Sequence, residues 1–226
     1  MASFDVSYKF TAQIESGYAL LSDGAGYTYC GITYKNFPTW EGWKYILPLA
    51  RAGKIKAGTI FASGPLPGLV KAFYEKEFWQ KMVNGRLIEN QDIANMVYDW
   101  CVNSQYAAVD RSSTKAVDSI NEAAAAIQRS GTIKASKYSL TPEIISVLNE
   151  KQPECYRAIF GGRKAFYDSL RSSRPQFYDG WMNRLNSFPR DTVSTRRPAP
   201  VPAAPVPKPA APAQKPWYYF LNPFNW

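Results

Sequence analysis

Three short runs near the N-terminus hold the residue types that could do chemistry: Glu15-Ser-Gly-Tyr18, Asp23-Gly-Ala-Gly-Tyr-Thr28 and Gly31-Ile-Thr33. A carboxylate stands at the end of an apolar, helix-spaced stretch. A Gly-rich turn then returns a second carboxylate and two hydroxyls within 20 residues of it. Acid-assisted cleavage of a glycosidic bond has these requirements. One carboxylic acid must stay protonated in a partly desolvated site to donate to the leaving oxygen. A second carboxylate, or a water held by a hydroxyl, works from the other side of the sugar. Each half also has a plainer reading, as a solvated helix end and as an ordinary Asp-Gly turn. The residues alone leave both open.

Composition removes most competing chemistries. The 226 residues include no histidine, so no Ser-His-Asp triad, Cys-His dyad or histidine-ligated zinc can be built. Cys30, Cys101 and Cys155 are too scattered for a CxxC metal site and read as free thiols. Catalysis falls to carboxylates, Tyr, Lys, a lone Cys or an N-terminal group, with no metal and no organic cofactor expected. Lys plus Arg number 27 against 18 Asp plus Glu, a net charge of +9. With no dense Lys/Arg run, that surface suits an anionic polymer such as a bacterial cell wall better than nucleic acid. No signal peptide and no 18-residue apolar span are visible. The expectation is synthesis in the bacterial cytoplasm, with access to the wall or periplasm through a holin-type pore, another release route or a virion.

The elements that must position these residues read as mainly helical. Phe4, Tyr8, Thr11, Ile14, Glu15 and Tyr18 recur at three- and four-residue spacings, which predicts a first helix ending near Gly17. Residues 22–38 read as a loop with short strands. Residues 41–52 and 69–83 read as helices separated by a Gly/Pro loop over 53–68. Ile93, Met96, Val97, Trp100 and Cys101 mark a buried helix. Further helices are expected over 114–129, from Thr141-Pro142-Glu143 to about Asn149, over 154–172 and over 174–187. From Pro198 to Pro216 there are eight prolines in 19 residues, a polyproline-like spacer, followed by the aromatic terminus Trp217–Trp226. The expected division is residues 1–110, 111–189, a Pro/Ala-rich disordered linker over 190–216 and an aromatic motif over 217–226.

The three runs together resemble the N-terminal motif of glycoside hydrolase family 108, the phage and bacterial N-acetylmuramidases. That motif reads Glu-Gly-Gly-Tyr, then Asp-Pro-Gly-Gly-x-Thr, then x-Tyr-Gly-Ile-Thr. Tyr98-Asp99-Trp100-Cys101-Val102-Asn103-Ser104 is similar to the family's Phe-Asp-x-x-Val-Asn-Ser-Gly helix. Arg163–Tyr167 and Phe177–Arg184 resemble the end of the peptidoglycan-binding region that usually follows. The resemblance implies a lysozyme-like helical fold that hydrolyses the β-1,4 bond between N-acetylmuramic acid and N-acetylglucosamine. It matches Glu15 to the catalytic acid, and Asp23 and Thr28 to the second carboxylate and the hydroxyl. Ser16, Ala25 and Gln105 stand where the family carries glycine, and the usual binding segment is weak between 115 and 145.

Tyr18, Tyr27, Trp40, Asp99 and Asn103 complete the candidate set as substrate contacts. Trp40 and Trp43 follow the motif loop, and aromatic faces suit the apolar sides of sugars. Asp99 and Asn103 share a helix face, either lining the sugar cleft or satisfying buried backbone. Two other functions remain alongside the muramidase: a lytic transglycosylase, which needs no activated water, and a catalytically idle wall-binding or secretion-accessory protein. The terminus 217–226 suits a membrane interface or a phage or secretion partner.

Overall fold

A computed structural model of the chain describes residues 1–12, 17–21, 26–104, 115–128, 136 and 138–190. The expectations for residues 190–226 fall almost wholly outside these, as do Glu15 and Asp23. The described residues are mainly helical, with one small antiparallel sheet in the order β1-β2-β3. The strands are β1 (Tyr18–Leu21), β2 (Gly26–Tyr29) and β3 (Ile32–Thr33). The first helix, α1, spans Phe4–Ala12, and α2 spans Trp43–Arg51. α3 (Leu66–Tyr74) runs into a wider, π-wound turn over Glu75–Val83, and α4 spans Gln91–Asn103. The C-terminal part holds α5 (Lys115–Gln128), α6 (Pro142–Glu150), α7 (Gln152–Leu170) and α8 (Pro175–Asn186).

Local chemistry accounts for most boundaries. Asn90 caps α4, its Oδ1 accepting from the N–H groups of Asp92 and Ile93 at 2.9 and 3.2 Å. Thr141 caps α6 through the Ile144 N–H, with Pro142 in the first turn as the sequence suggests. Two expectations are corrected. Tyr18 continues the helical spacing of α1 but belongs to β1, paired with Tyr29. Pairing across the hairpin and a hydrogen bond from the Tyr18 N–H to Thr59 O at 2.9 Å override its periodicity. The 53–68 loop is also shorter than expected, because α3 starts at Leu66 with Pro67 in its first turn.

α1 and α4 lie side by side and parallel, joined by a ladder of polar side chains. Ser3, Ser7 and Thr11 meet Gln91, Asn95 and Asp99, every pair 88 residues apart. The Ser3 N–H donates to Gln91 Oε1 at 2.7 Å, Ser7 Oγ to Asn95 Oδ1 at 2.7 Å, and Thr11 Oγ1 to Asp99 Oδ1 at 3.1 Å. A spacing of four on both helices keeps the two rows facing each other.

The last rung opens onto the C-terminal helices. Asp99 is fully buried, and its Oδ2 accepts from Arg163 Nη2 of α7 at 2.7 Å. Its Oδ1 accepts from Arg184 Nη2 of α8, also at 2.7 Å. The surplus positive charge rests on aromatic faces, with the Arg163 guanidinium 5.5 Å from the Tyr167 ring centre and 5.4 Å from that of Phe188. The apolar core runs without a break from Phe4, Trp79 and Tyr98 through Trp100 to Tyr156 and Trp181. Helices on both sides of residues 105–114 therefore share one interior.

Burial alone would push the Asp99 carboxyl up, but Arg184 and Arg163 outweigh it and hold the group down to about 2. A depressed folded-state value stabilises the fold above the ordinary carboxylate value of about 3.9, and that stability disappears as pH falls through about 2. Asp99→Asn leaves two buried guanidiniums without their anion and should cost about 3–5 kcal/mol at neutral pH. Denaturant unfolding as a function of pH should show the wild type losing stability across this acid window and the variant depending on pH less steeply there.

Candidate functional site

The β hairpin follows closely on α1. Between β2 and β3 the chain reverses through Cys30 and Gly31, both with positive φ (44° and 78°), the conformation of a two-residue type I′ turn. Gly17, just before β1, sits where no larger residue fits, since a Cβ there would lie 2.1 Å from the carbonyl oxygen of Thr59. That close approach is a physical reason for the glycine of the Glu15-Ser-Gly-Tyr18 run.

Alternation along β2 divides the hairpin residues between two faces. Tyr18, Tyr27 and Tyr29 share one face, where the Tyr18 and Tyr27 rings stack at 6.5 Å. Burial, then the neighbouring Tyr27, raises the Tyr18 phenol above its ordinary value. Burial also pushes the Tyr29 phenol up, to about 12, and its hydroxyl accepts from the Phe61 N–H at 2.9 Å. Thr28 lies on the opposite face, beside Ala19 and Thr33 in the register. It is 1% exposed, and its Oγ1 has no hydrogen-bond partner among the described residues.

A cavity of about 330 Å³ lies on the Tyr29 side. Tyr8 and Thr11 of α1, Tyr29, Phe61, Lys71 and Tyr74 contribute to its wall. Tyr74 pins the turn to α3, its hydroxyl donating to Cys30 O at 2.8 Å. Lys71 pairs with Asp5 at 2.7 Å, both partly exposed. The cavity is mostly apolar, ringed by aromatic faces, and of a size that holds small ligands.

The remaining expected residues fall in different places. Trp40 packs on the outer side of the core, stacked on Tyr29 at 6.3 Å and edge-on to Trp43 at 5.2 Å, while its ring covers Gly42. Trp43, Trp79 and Trp100 are buried. Asp99 is enclosed between two arginines, so its carboxylate ties helices together and does not face a cleft. Asn103, at the end of α4, is 5% exposed. Its Nδ2 donates to the Tyr167 hydroxyl at 2.8 Å, and its Oδ1 has no partner among the described residues. Glu15 and Asp23 lie outside the described residues. Sequence reasoning gave no role to Thr11, Arg163, Tyr167 or Arg184. The matching four-residue spacings of Ser3-Ser7-Thr11 and Gln91-Asn95-Asp99 were the available signal for the first.

Two of the thiols are poor nucleophiles: burial pushes Cys101 up to about 12 and Cys155 up to about 11. Among the described residues no cluster of acidic or cysteine side chains could hold a metal ion, and no helix is long and apolar enough to cross a membrane. Two buried polar atoms without partners, Thr28 Oγ1 and Asn103 Oδ1, and an aromatic cavity beside α1 are what the described part contributes.

Residues 8–104 match the family model described as glycosyl hydrolase 108. No curated protein matches the chain. A solved structure of Brucella abortus SagA is similar at 15% identity, with a TM-score of 0.47 over 84% of this chain and 97% of that one.

A buried hydroxyl without a partner destabilises the fold by roughly 1–3 kcal/mol. Thr28→Val keeps the shape and removes that hydroxyl. Its thermal midpoint should therefore rise, by about 2–4 °C for each kcal/mol in a chain of this size. A fall in a thermal scan would mean that Thr28 is satisfied in the folded protein and held for structure alone.

Proposed function

We propose that the chain is an N-acetylmuramidase, because residues 8–104 match the family model described as glycosyl hydrolase 108. It cleaves the β-1,4 bond between N-acetylmuramic acid and N-acetylglucosamine in peptidoglycan, for lysis or for penetration of the wall. The observation that carries this reading is the span of the family match, which takes in Glu15, Asp23, Thr28 and Asn103 together. The net charge of +9 supports it, since a basic protein concentrates on an anionic wall.

In this reading Glu15 is the general acid. Its carboxyl proton passes to the glycosidic oxygen as the bond to the anomeric carbon lengthens and positive charge builds on the sugar ring. Asp23 supplies the carboxylate that steadies that charge or takes a proton from the attacking water. Thr28 holds the water: its buried Oγ1 has hydrogen-bonding capacity that the described protein groups leave unused. Water adds to the anomeric carbon, the product has a reducing end, and the proton released restores Glu15. The half-buried Tyr27 and Trp40 offer ring faces to the glycan, with the buried Tyr18 stacked on Tyr27.

Purified sacculi incubated with wild type should release reducing muropeptides, identified by mass spectrometry. Glu15→Gln should lower the rate about 10²–10⁴-fold, the usual contribution of a positioned acid. Thr28→Val should lose turnover while keeping its fold. Anhydro-muropeptides from wild type would move the assignment to a lytic transglycosylase. Binding to sacculi without release of products would sink the enzyme reading.

A further inference from the structure

Positive charge is unevenly placed along the chain. Residues 42–74 carry Lys44, Arg51, Lys54, Lys56 and Lys71 and not one acid in 33 positions. Residues 1–41 hold two cations and four acids, and residues 75–189 hold 15 and 13, so those two stretches cancel. All the net charge of residues 1–189 therefore comes from residues 42–74.

Local structure gathers three of these cations at the C-terminal end of α2. Gly53, at φ 64°, closes the helix with a Schellman cap: its N–H donates to Ala50 O at 3.1 Å, and the Lys54 N–H to Leu49 O at 2.8 Å. Ile55 is buried, while Lys54 and Lys56 on either side of it are exposed, as is Arg51 in the last helical turn. A turn follows in which the Thr59 N–H donates to Lys56 O at 3.1 Å. It ties the segment to the hairpin, the Gly58 N–H donating to Tyr18 O at 2.8 Å and the Tyr18 N–H to Thr59 O at 2.9 Å. Lys44 pairs with Glu41 and Lys71 with Asp5, but Arg51, Lys54 and Lys56 have no carboxylate partner among the described residues. One cation in the last turn offsets the helix dipole, and Arg51 suffices for that. Two further lysines beside it add self-repulsion that no described anion relieves.

We propose that Arg51, Lys54 and Lys56 form a docking surface for the carboxylate-bearing peptide stems of peptidoglycan, holding a strand beside the hairpin while its glycan is cut. The inference rests on the reading of the chain as a muramidase. The glycan itself is uncharged, whereas its stem peptides present free carboxylates at intervals along the same polymer. Lysine ammoniums on flexible stems act as point charges and can follow such a partner without a fixed fork geometry. A lipid surface asks for a broad apolar face beside the cations, and α2 turns the mixed set Lys44, Tyr45, Pro48 and Arg51 to solvent.

The test is co-sedimentation of the full chain with purified sacculi free of teichoic acid, over a series of salt concentrations. The triple variant Arg51→Gln, Lys54→Gln, Lys56→Gln should bind about tenfold or more weakly than wild type at low salt, and the gap should close as salt rises. A control of equal charge loss, Lys76→Gln, Lys115→Gln, Lys151→Gln, should bind like wild type. All six side chains are exposed, so both variants should keep the fold. Sacculi whose carboxylates have been amidated should hold wild type no better than untreated sacculi hold the triple variant. Equal losses in the two variants, or undiminished binding to amidated sacculi, overturn the proposal. A preference for phosphatidylglycerol–phosphatidylcholine vesicles over sacculi, lost in the triple variant, also overturns it and makes the surface a lipid contact. Muropeptide release is measured on the same samples. Products with binding unchanged in the triple variant leave the muramidase standing and remove the docking surface. Binding that needs both the three cations and the carboxylates, without products, keeps the surface and removes the muramidase.

Discussion

One buried carboxylate organises the molecule. Asp99 accepts hydrogen bonds from α1, α7 and α8 at once, through Thr11, Arg163 and Arg184. An ion taken out of water costs several kcal/mol before any partner is counted, so an isolated Asp in this core would be neutral or absent. Two guanidiniums at 2.7 Å reverse that balance and hold the group ionised. The two cations need their own compensation, which comes from the ring faces of Tyr167 and Phe188, the Tyr167 hydroxyl and the Met96 sulfur. Each member is tolerable only while the others are in place. The C-terminal helices are thus part of the same folding unit as α1 and α4.

The segment that matches the glycosyl hydrolase family ends at residue 104, yet both cations that neutralise its buried Asp99 come from beyond that point. The C-terminal helices complete the electrostatics of the segment that matches the family. Hydrogen bonds at the other end of α4 make the same connection. Asn149 of α6 exchanges bonds with the backbone of Leu87 and Glu89, and Asn84 donates to Leu140 O. α4 is held along its length by elements from both sides of the sequence.

The hairpin is built to different rules. Its turn uses two left-handed residues, the glycine before its first strand sits against a neighbouring carbonyl, and its Tyr29 lines one side of a cavity. Strand alternation then sends Thr28 to the side away from Tyr29. Tyr27 and Thr28 are neighbours in sequence but lie on different faces of one small sheet.

Much of this was legible in the sequence. Absence of histidine excluded most hydrolytic machinery, apolar spacing marked α4, and Asn or Thr caps and first-turn prolines fixed helix starts, because these signals act over one or two turns. Residue types alone left Glu15, Asp23 and Thr28 open between a site and an ordinary turn, and only the resemblance to glycoside hydrolase family 108 pointed to glycoside chemistry. Tyr18 was misread because helical periodicity and strand pairing compete there, and the pairing comes from Tyr29, eleven positions away. Asp99 carried two readings in the sequence, and only the tertiary structure chose between them, since the arginines that claim its carboxylate lie 64 and 85 residues further along the chain. Local free energies are written in neighbouring residues, whereas the fate of a buried charge depends on which distant groups the fold brings within 3 Å of it.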